Sequence, residues 1–204
     1  MRTVDFYYDF SSTNSYFAAF MLPEICKRTG AQMRWMPLHS AALFRATGFD
    51  VMAMTPRKAR YLWRDHARYS EATGLPFRRP SRFPIKTAMA LRCVLAADRV
   101  AGGGDRGGSI RVAFSQAVFR AYWERDEDIA SPAVLKNSIA QTGLDPEAIL
   151  RLSDSGEIRD ELRSITDEAA ARGVFGVPMF FVGNEMFWGK DRLDFVERWL
   201  KRDA

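Results

Sequence analysis

Cysteine and histidine are both scarce in this chain of 204 residues, with two of each. Cys26 and Cys93 cannot build a disulfide framework, and they fall in unrelated helical segments. Each is read as a buried apolar side chain. His39 and His66 are too few for most metal constellations. His39 ends an expected strand. His66 falls mid-helix among Arg64, Asp65 and Arg68, where exposure is expected. No apolar run reaches the roughly 18 residues of a membrane-spanning helix. The opening "MRTVDFYYDF" carries an aspartate at position 5 and no apolar core, unlike a secretory signal, so a cytoplasmic location is expected. A single-sign charge cluster is missing too. The net charge is +5, but Arg and Lys stand beside Asp and Glu, as in "RDELR" over 159–163. That describes a solvated mixed surface rather than a nucleic-acid face. The stretch "GGGDRGG" (102–108) lacks the Gly-Lys-Ser/Thr ending of a phosphate loop and is read as a flexible linker. No internal repeat is visible.

What is present suffices for a sizeable core: 47% of the residues are hydrophobic. Val4, Phe6, Tyr8 and Phe10 mark a buried strand. A helix over 15–28 follows, with Pro23 positioned to kink or divide it, and then a strand over 31–38. The order β-α-β implies a parallel pair. Between 43 and 172 the chain reads as nearly all helix, with cap-plus-proline starts at Thr55-Pro56, Ser131-Pro132 and Asp145-Pro146. Three prolines make 75–86 a loop. Then "GVPMFFVG" and "NEMFWG" read as a hairpin turning at Gly183-Asn184, followed by an amphipathic helix with Leu193, Val196 and Leu200 on one face. The layout predicts an α/β chain with a thioredoxin-like fold and a large all-helical insertion. The thioredoxin-like part would be 1–42 and 174–204, and the helical part 43–173.

Two places carry chemistry in such a fold. The first is the turn "DFSSTNSY" (9–16), where Ser12 and Ser15 occupy the spacing of a redox Cys-x-x-Cys pair. A serine cannot exchange disulfides. At a helix N-terminus its hydroxyl can cap the helix, or donate to a bound thiolate and lower that thiol's pKa. The second is Val177-Pro178, just before an apolar strand. A cis bond there would leave the backbone of the preceding residue free to pair with an extended peptide-like ligand.

With these motifs the chain resembles the 2-hydroxychromene-2-carboxylate isomerase family, grouped with kappa-class glutathione transferases and DsbA-like proteins. The resemblance runs along nearly the whole chain, through "DFSSTNSY", "ATG", "RYLWRDHARY", "GLPF", "PSRFPIK" and "GVFGVPMFFVGNEMFWGKDRLDFVERWL". It implies glutathione as a cofactor that is not consumed, and Ser12 as the catalytic residue that stabilises its thiolate. It implies interconversion of 2-hydroxychromene-2-carboxylate and trans-o-hydroxybenzylidenepyruvate, a step in bacterial naphthalene breakdown. Val177 and Pro178, with Trp188, Gly189, Lys190 and Asp191, would bind glutathione. Arg82, Phe83, Pro84 and Lys86 would bind a small aromatic carboxylate, with Arg78 and Arg79 adding positive charge to the loop. A homodimer is the implied assembly; no metal, nucleic acid or membrane partner is expected.

The chain departs from the family pattern at three points. Thr13 follows Ser12 where proline is frequent. Phe49 follows Gly48, and Lys86 ends "FPIK", where asparagine is common in both cases. Two other classes stay open on the residues alone: a kappa-like transferase that conjugates electrophiles, and a non-catalytic module that grips extended peptides at Pro178.

Overall fold

The computed structural model describes residues 2–48 and 54–202. Strand β1 (Thr3–Tyr8) leads through a turn into helix α1 (Thr13–Thr29), and β2 (Gln32–Pro37) follows. Between β2 and the next strand the described residues form α2 (Ser40–Thr47), α3 (Pro56–Thr73), α4 (Ala88–Val100), α5 (Gly104–Trp123), α6 (Pro132–Ala140), α7 (Pro146–Ser153) and α8 (Gly156–Ala171). The chain returns as β3 (Met179–Val182) and β4 (Glu185–Trp188), a 3-10 turn (Lys190–Arg192) and α9 (Leu193–Leu200).

The strands form one sheet in the order β2-β1-β3-β4. β1 pairs parallel with β2, Phe6 opposite Trp35, and antiparallel with β3, Phe6 opposite Phe180. The expected β-α-β opening and β-β-α ending therefore share a sheet. As a central strand, β1 is buried along most of its length. Phe6 stacks on Phe180 with ring centroids 5.5 Å apart and meets Trp35 edge-on at 5.1 Å. Aromatic pairs of this geometry add to their burial. The helical segment closes over the same core: Phe119 of α5 meets Phe10 at 4.9 Å.

Local rules account for the element ends. Gly30 closes α1 in the left-handed conformation, its N–H bonded to the Cys26 carbonyl. Thr55 and Asp145 cap α3 and α7, each with proline at the first helical position. α1 runs through Pro23 undivided. The glycine-rich linker needs correction, because α5 begins at Gly104 and takes in Gly107 and Gly108. A Cβ at Gly107 would clash with the Asp98 carboxylate of α4. The glycine there serves close helix approach rather than flexibility. No helix among the described residues is long and apolar enough to cross a membrane.

Candidate active site

The turn after β1 is held by a buried carboxylate. Asp9 is fully buried and accepts five hydrogen bonds. Two come from the Ser11 amide and hydroxyl, both at 2.9 Å. Two come from the Ser40 amide at 2.9 Å and hydroxyl at 2.7 Å, and the last from the Thr87 hydroxyl at 3.2 Å. One side chain thus ties this turn to the starts of α2 and α4. Backbone follows side chain: the Ser12 amide donates to the Asp9 carbonyl at 3.1 Å.

Ser12 is the N-cap of α1, in extended conformation, and its hydroxyl oxygen accepts from the Ser15 amide at 3.1 Å. The same hydroxyl donates to the Val177 carbonyl at 3.2 Å. Val177-Pro178 is a cis bond, so the loop before β3 meets the start of α1 where the resemblance implies a glutathione site. Ser11 differs: its hydroxyl is committed to Asp9.

Beside the α1 N-terminus lies a groove of about 370 Å3, lined by Asn14, Met186, Phe187, Trp188, Gly189, Asp191 and Arg192. Three of the expected glutathione residues line it. The Gly189 amide donates to the Pro178 carbonyl at 3.0 Å, which joins the cis-proline loop to the groove. Gly189 has φ +98°, and a Cβ there would stand 2.5 Å from an Asp191 carboxylate oxygen. Asp191 pairs with Arg192 at 3.0 Å on the surface. The Lys190 side chain leaves the groove. It is 8% exposed, and its ammonium lies 3.8 Å from the Tyr69 ring centroid. Burial lowers its pKa. Lys190 does not line the groove.

Next to Lys190, His66 is buried, a correction to the exposed surface expected for it. The helix face that carries His66 packs on Phe17, with ring centroids 6.3 Å apart, and on Phe77 at 5.8 Å. Burial first, and Lys190 second, push its pKa down to about 4. Among the described residues its Nδ1 has no hydrogen-bond partner.

The proline-rich loop forms a wall on the other side of the Ser12 turn. The Tyr16 hydroxyl is shared between the Pro76 carbonyl and the Glu124 carboxylate, the latter at 3.0 Å. The Arg78 amide donates to the Trp123 carbonyl at 2.7 Å, the Tyr122 hydroxyl to the Arg82 carbonyl at 2.7 Å, and the Ser81 amide to Asp126 at 2.7 Å. The Trp123 indole donates to the Phe10 carbonyl at 2.9 Å. Trp63 meets Phe83 edge-on at 5.0 Å and lies 6.5 Å from Trp123. Sequence reasoning missed Trp63, Phe77 and Trp123, because aromatic residues at helical spacing read equally well as core. Of the expected substrate residues, Phe83 is 42% exposed on this wall, and Phe83-Pro84 is a second cis bond. Lys86 is exposed; Arg82 turns its guanidinium toward Asp128, 3.9 Å away. Phe49 lies outside the described residues.

Both cysteines are buried and unpaired, and burial raises each thiol to about 11. At neutral pH neither supplies a thiolate. Among the described residues no group of three His, Cys, Asp or Glu side chains could hold a metal ion.

Comparison with known proteins identifies the family. The DSBA-like thioredoxin domain family matches residues 3–201. A 2-hydroxychromene-2-carboxylate isomerase of Sphingobium xenophagum is 30% identical, with 98% of each chain covered. Glutathione S-transferase kappa 2 of Caenorhabditis elegans is 26% identical, with 98% of this chain and 92% of the relative covered. The solved structure of a 2-hydroxychromene-2-carboxylate isomerase superposes with a TM-score of 0.82 at 26% identity, over 98% of this chain and 95% of the other. The chain therefore belongs to the DSBA-like thioredoxin family, alongside the 2-hydroxychromene-2-carboxylate isomerases and the kappa-class glutathione transferases.

Proposed function

We propose that the protein is a glutathione-dependent isomerase that interconverts 2-hydroxychromene-2-carboxylate and trans-o-hydroxybenzylidenepyruvate. The observation that carries this reading is the Ser12 hydroxyl. It stands at the N-cap of α1, 3.2 Å from the carbonyl of Val177, which precedes cis Pro178. A hydroxyl donor at the positive end of a helix suits an anionic sulfur. Both cysteines of the chain are buried, so the sulfur must come with a ligand. The residues fit glutathione. A tripeptide lying along the Val177 backbone has a groove beyond it, edged by Trp188, Gly189 and Asp191.

Bound glutathione would supply a thiolate that adds to the substrate, lets a carbon–carbon bond rotate and leaves unchanged. Ser12 donates to the sulfur and holds it ionised. The backbone of Val177 receives the ligand's peptide groups, and cis Pro178 turns it toward them. Gly189 leaves room for the ligand's γ-glutamyl end, and Asp191 accepts from the ammonium. Phe83 and Pro84 face the aromatic ring of the substrate, while Arg82 and Lys86 add positive charge near its carboxylate. The reading places the protein in the cytoplasm as a homodimer. Its unpaired cysteines suit a compartment where glutathione keeps thiols reduced.

Kappa-like conjugation of electrophiles is the second reading, favoured by the similarity to kappa-class transferases over 98% of the chain. Incubation of the chromene acid with glutathione separates the two. Rearranged acid with all the glutathione recovered supports the isomerase, and a thioether adduct supports the transferase. Failure to bind glutathione at all would remove both.

A further inference from the structure

We infer that Arg79 is the residue that selects a carboxylate on an aromatic substrate, holding it against the Trp63 face. This rests on reading the wall beside Ser12 as the substrate side of the site. Four basic residues crowd the proline-rich loop, and the structure separates them. Arg78 faces Asp126 at 3.8 Å, and Arg82 faces Asp128 at 3.9 Å. Asp126 also accepts from the Ser81 amide and hydroxyl, so these two carboxylates belong to the clamp that fastens the loop to the end of α5. Lys86 is exposed at the far end of the loop, and its ammonium lies over no ring among the described residues.

Arg79 is different. Its guanidinium lies over the Trp63 ring, 5.0 Å from the centroid, and forms no hydrogen bond or ion pair among the described residues. Stacking on a ring holds a guanidinium in place through its face and leaves its five N–H donors for a planar anion. Trp63 is fixed in turn by Phe83 at 5.0 Å and Phe77 at 6.4 Å, and this cluster reaches Trp123, whose indole bonds the Phe10 carbonyl next to the catalytic turn. A flat ring meeting the exposed face of Phe83 would bring its carboxylate within the reach of one guanidinium that is already oriented and carries no competing anion. The same wall would take a neutral aromatic ring, but without that bidentate contact. Arg79 thus sets specificity for aromatic carboxylates and leaves neutral aromatic electrophiles unaffected.

The test is equilibrium binding, followed by quenching of tryptophan fluorescence, with salicylate and its neutral analogue salicylamide. Arg79→Ala should weaken salicylate by roughly tenfold or more, the loss expected for one hydrogen-bonded charge, and leave salicylamide unchanged. Arg79→Lys should recover part of the loss, because the charge returns without the fork. In turnover, Arg79→Ala should raise KM for the chromene acid. Unchanged salicylate affinity in Arg79→Ala overturns the assignment. So does equal weakening of salicylate and salicylamide, which would mean that Arg79 only supports Trp63. None of the binding measurements needs glutathione, so they stand apart from any failure of the proposed reaction.

Discussion

The Ser12 hydroxyl donates to the Val177 carbonyl, joining two residues 165 positions apart in the chain. A hydroxyl has one proton, so it cannot serve this carbonyl and a thiolate together. On the proposed reading, glutathione binding would exchange partners: the proton would turn to sulfur, and the released carbonyl would accept an amide of the ligand. Ser12→Ala removes the donor, and the pKa of bound glutathione's thiol should rise by about 1–2 units, since a hydrogen bond to a charge is worth roughly 1.5–3 kcal/mol. The lost cap should cost about 1 kcal/mol of stability. Ultraviolet titration of the thiolate in wild type and variant measures the first effect. An unchanged titration would remove Ser12 from the mechanism and turn attention to Ser11.

Neither cysteine is placed to take part in the proposed chemistry. Burial holds both thiols near a pKa of about 11, and each sits in a packed helix. A Cys26→Ser, Cys93→Ser double variant should keep its turnover while losing about 1–3 kcal/mol of stability per buried hydroxyl left without a good partner. Steady-state kinetics beside a thermal melt checks this. A folded but inactive protein would reveal a catalytic thiol.

Much of this architecture was readable from local signals. The hairpin at Gly183-Asn184, the parallel opening and the amphipathic last helix each follow from a pattern within a few residues. The Ser12 turn and Val177-Pro178 were visible as motifs, but their contact depends on β1 pairing with β3, a long-range event that no local pattern encodes. His66 shows the limit from another side. Arg64, Asp65 and Arg68 around it suggested solvent, yet a helix shows its neighbours in sequence to different faces, and the face of His66 is covered by Phe17 and Phe77. Asp9 was legible only as part of a motif. Its five donors come from three separate segments, and nothing in the spacing announces them.

His66 makes stability depend on pH. Its pKa is about 4 in the folded protein, against about 6.5 when unfolded, through burial and then the Lys190 ammonium, with Asp65 acting weakly the other way. The unfolded chain thus takes up the proton first as pH falls. The contribution is fully present above about pH 6.5 and is lost progressively down to about pH 4, so that acidification from pH 7 to 5 should cost roughly 2 kcal/mol at this site. His66→Phe should flatten that slope in paired melts. Lys190→Met should raise the His66 pKa, read by NMR titration of the imidazole. A His66 that titrates normally in the wild type would contradict its burial.

Asp191 separates ligand binding from helix capping. An aspartate opening a helix is often a cap, and its loss then costs about 0.5–2 kcal/mol. Here the residue before the 3-10 turn is Gly189, and α9 itself starts after Arg192, with no side-chain cap bond at either position. The Asp191 carboxylate is instead exposed on the groove wall, paired with Arg192 at 3.0 Å, an arrangement worth little to stability in water. It can accept from a ligand's ammonium group, and the lack of a Cβ at Gly189 leaves it room. Asp191→Ala should therefore leave the melting temperature almost unmoved and weaken glutathione by roughly tenfold, on the scale of one charge-assisted hydrogen bond. Gly189→Ala should weaken it as well, by pushing the carboxylate aside, and should also destabilise the fold, because an alanine at that φ is strained. Calorimetric titration with glutathione, run beside thermal melts of both variants, reads the two effects separately. Normal affinity in Asp191→Ala would place the γ-glutamyl end elsewhere in the groove.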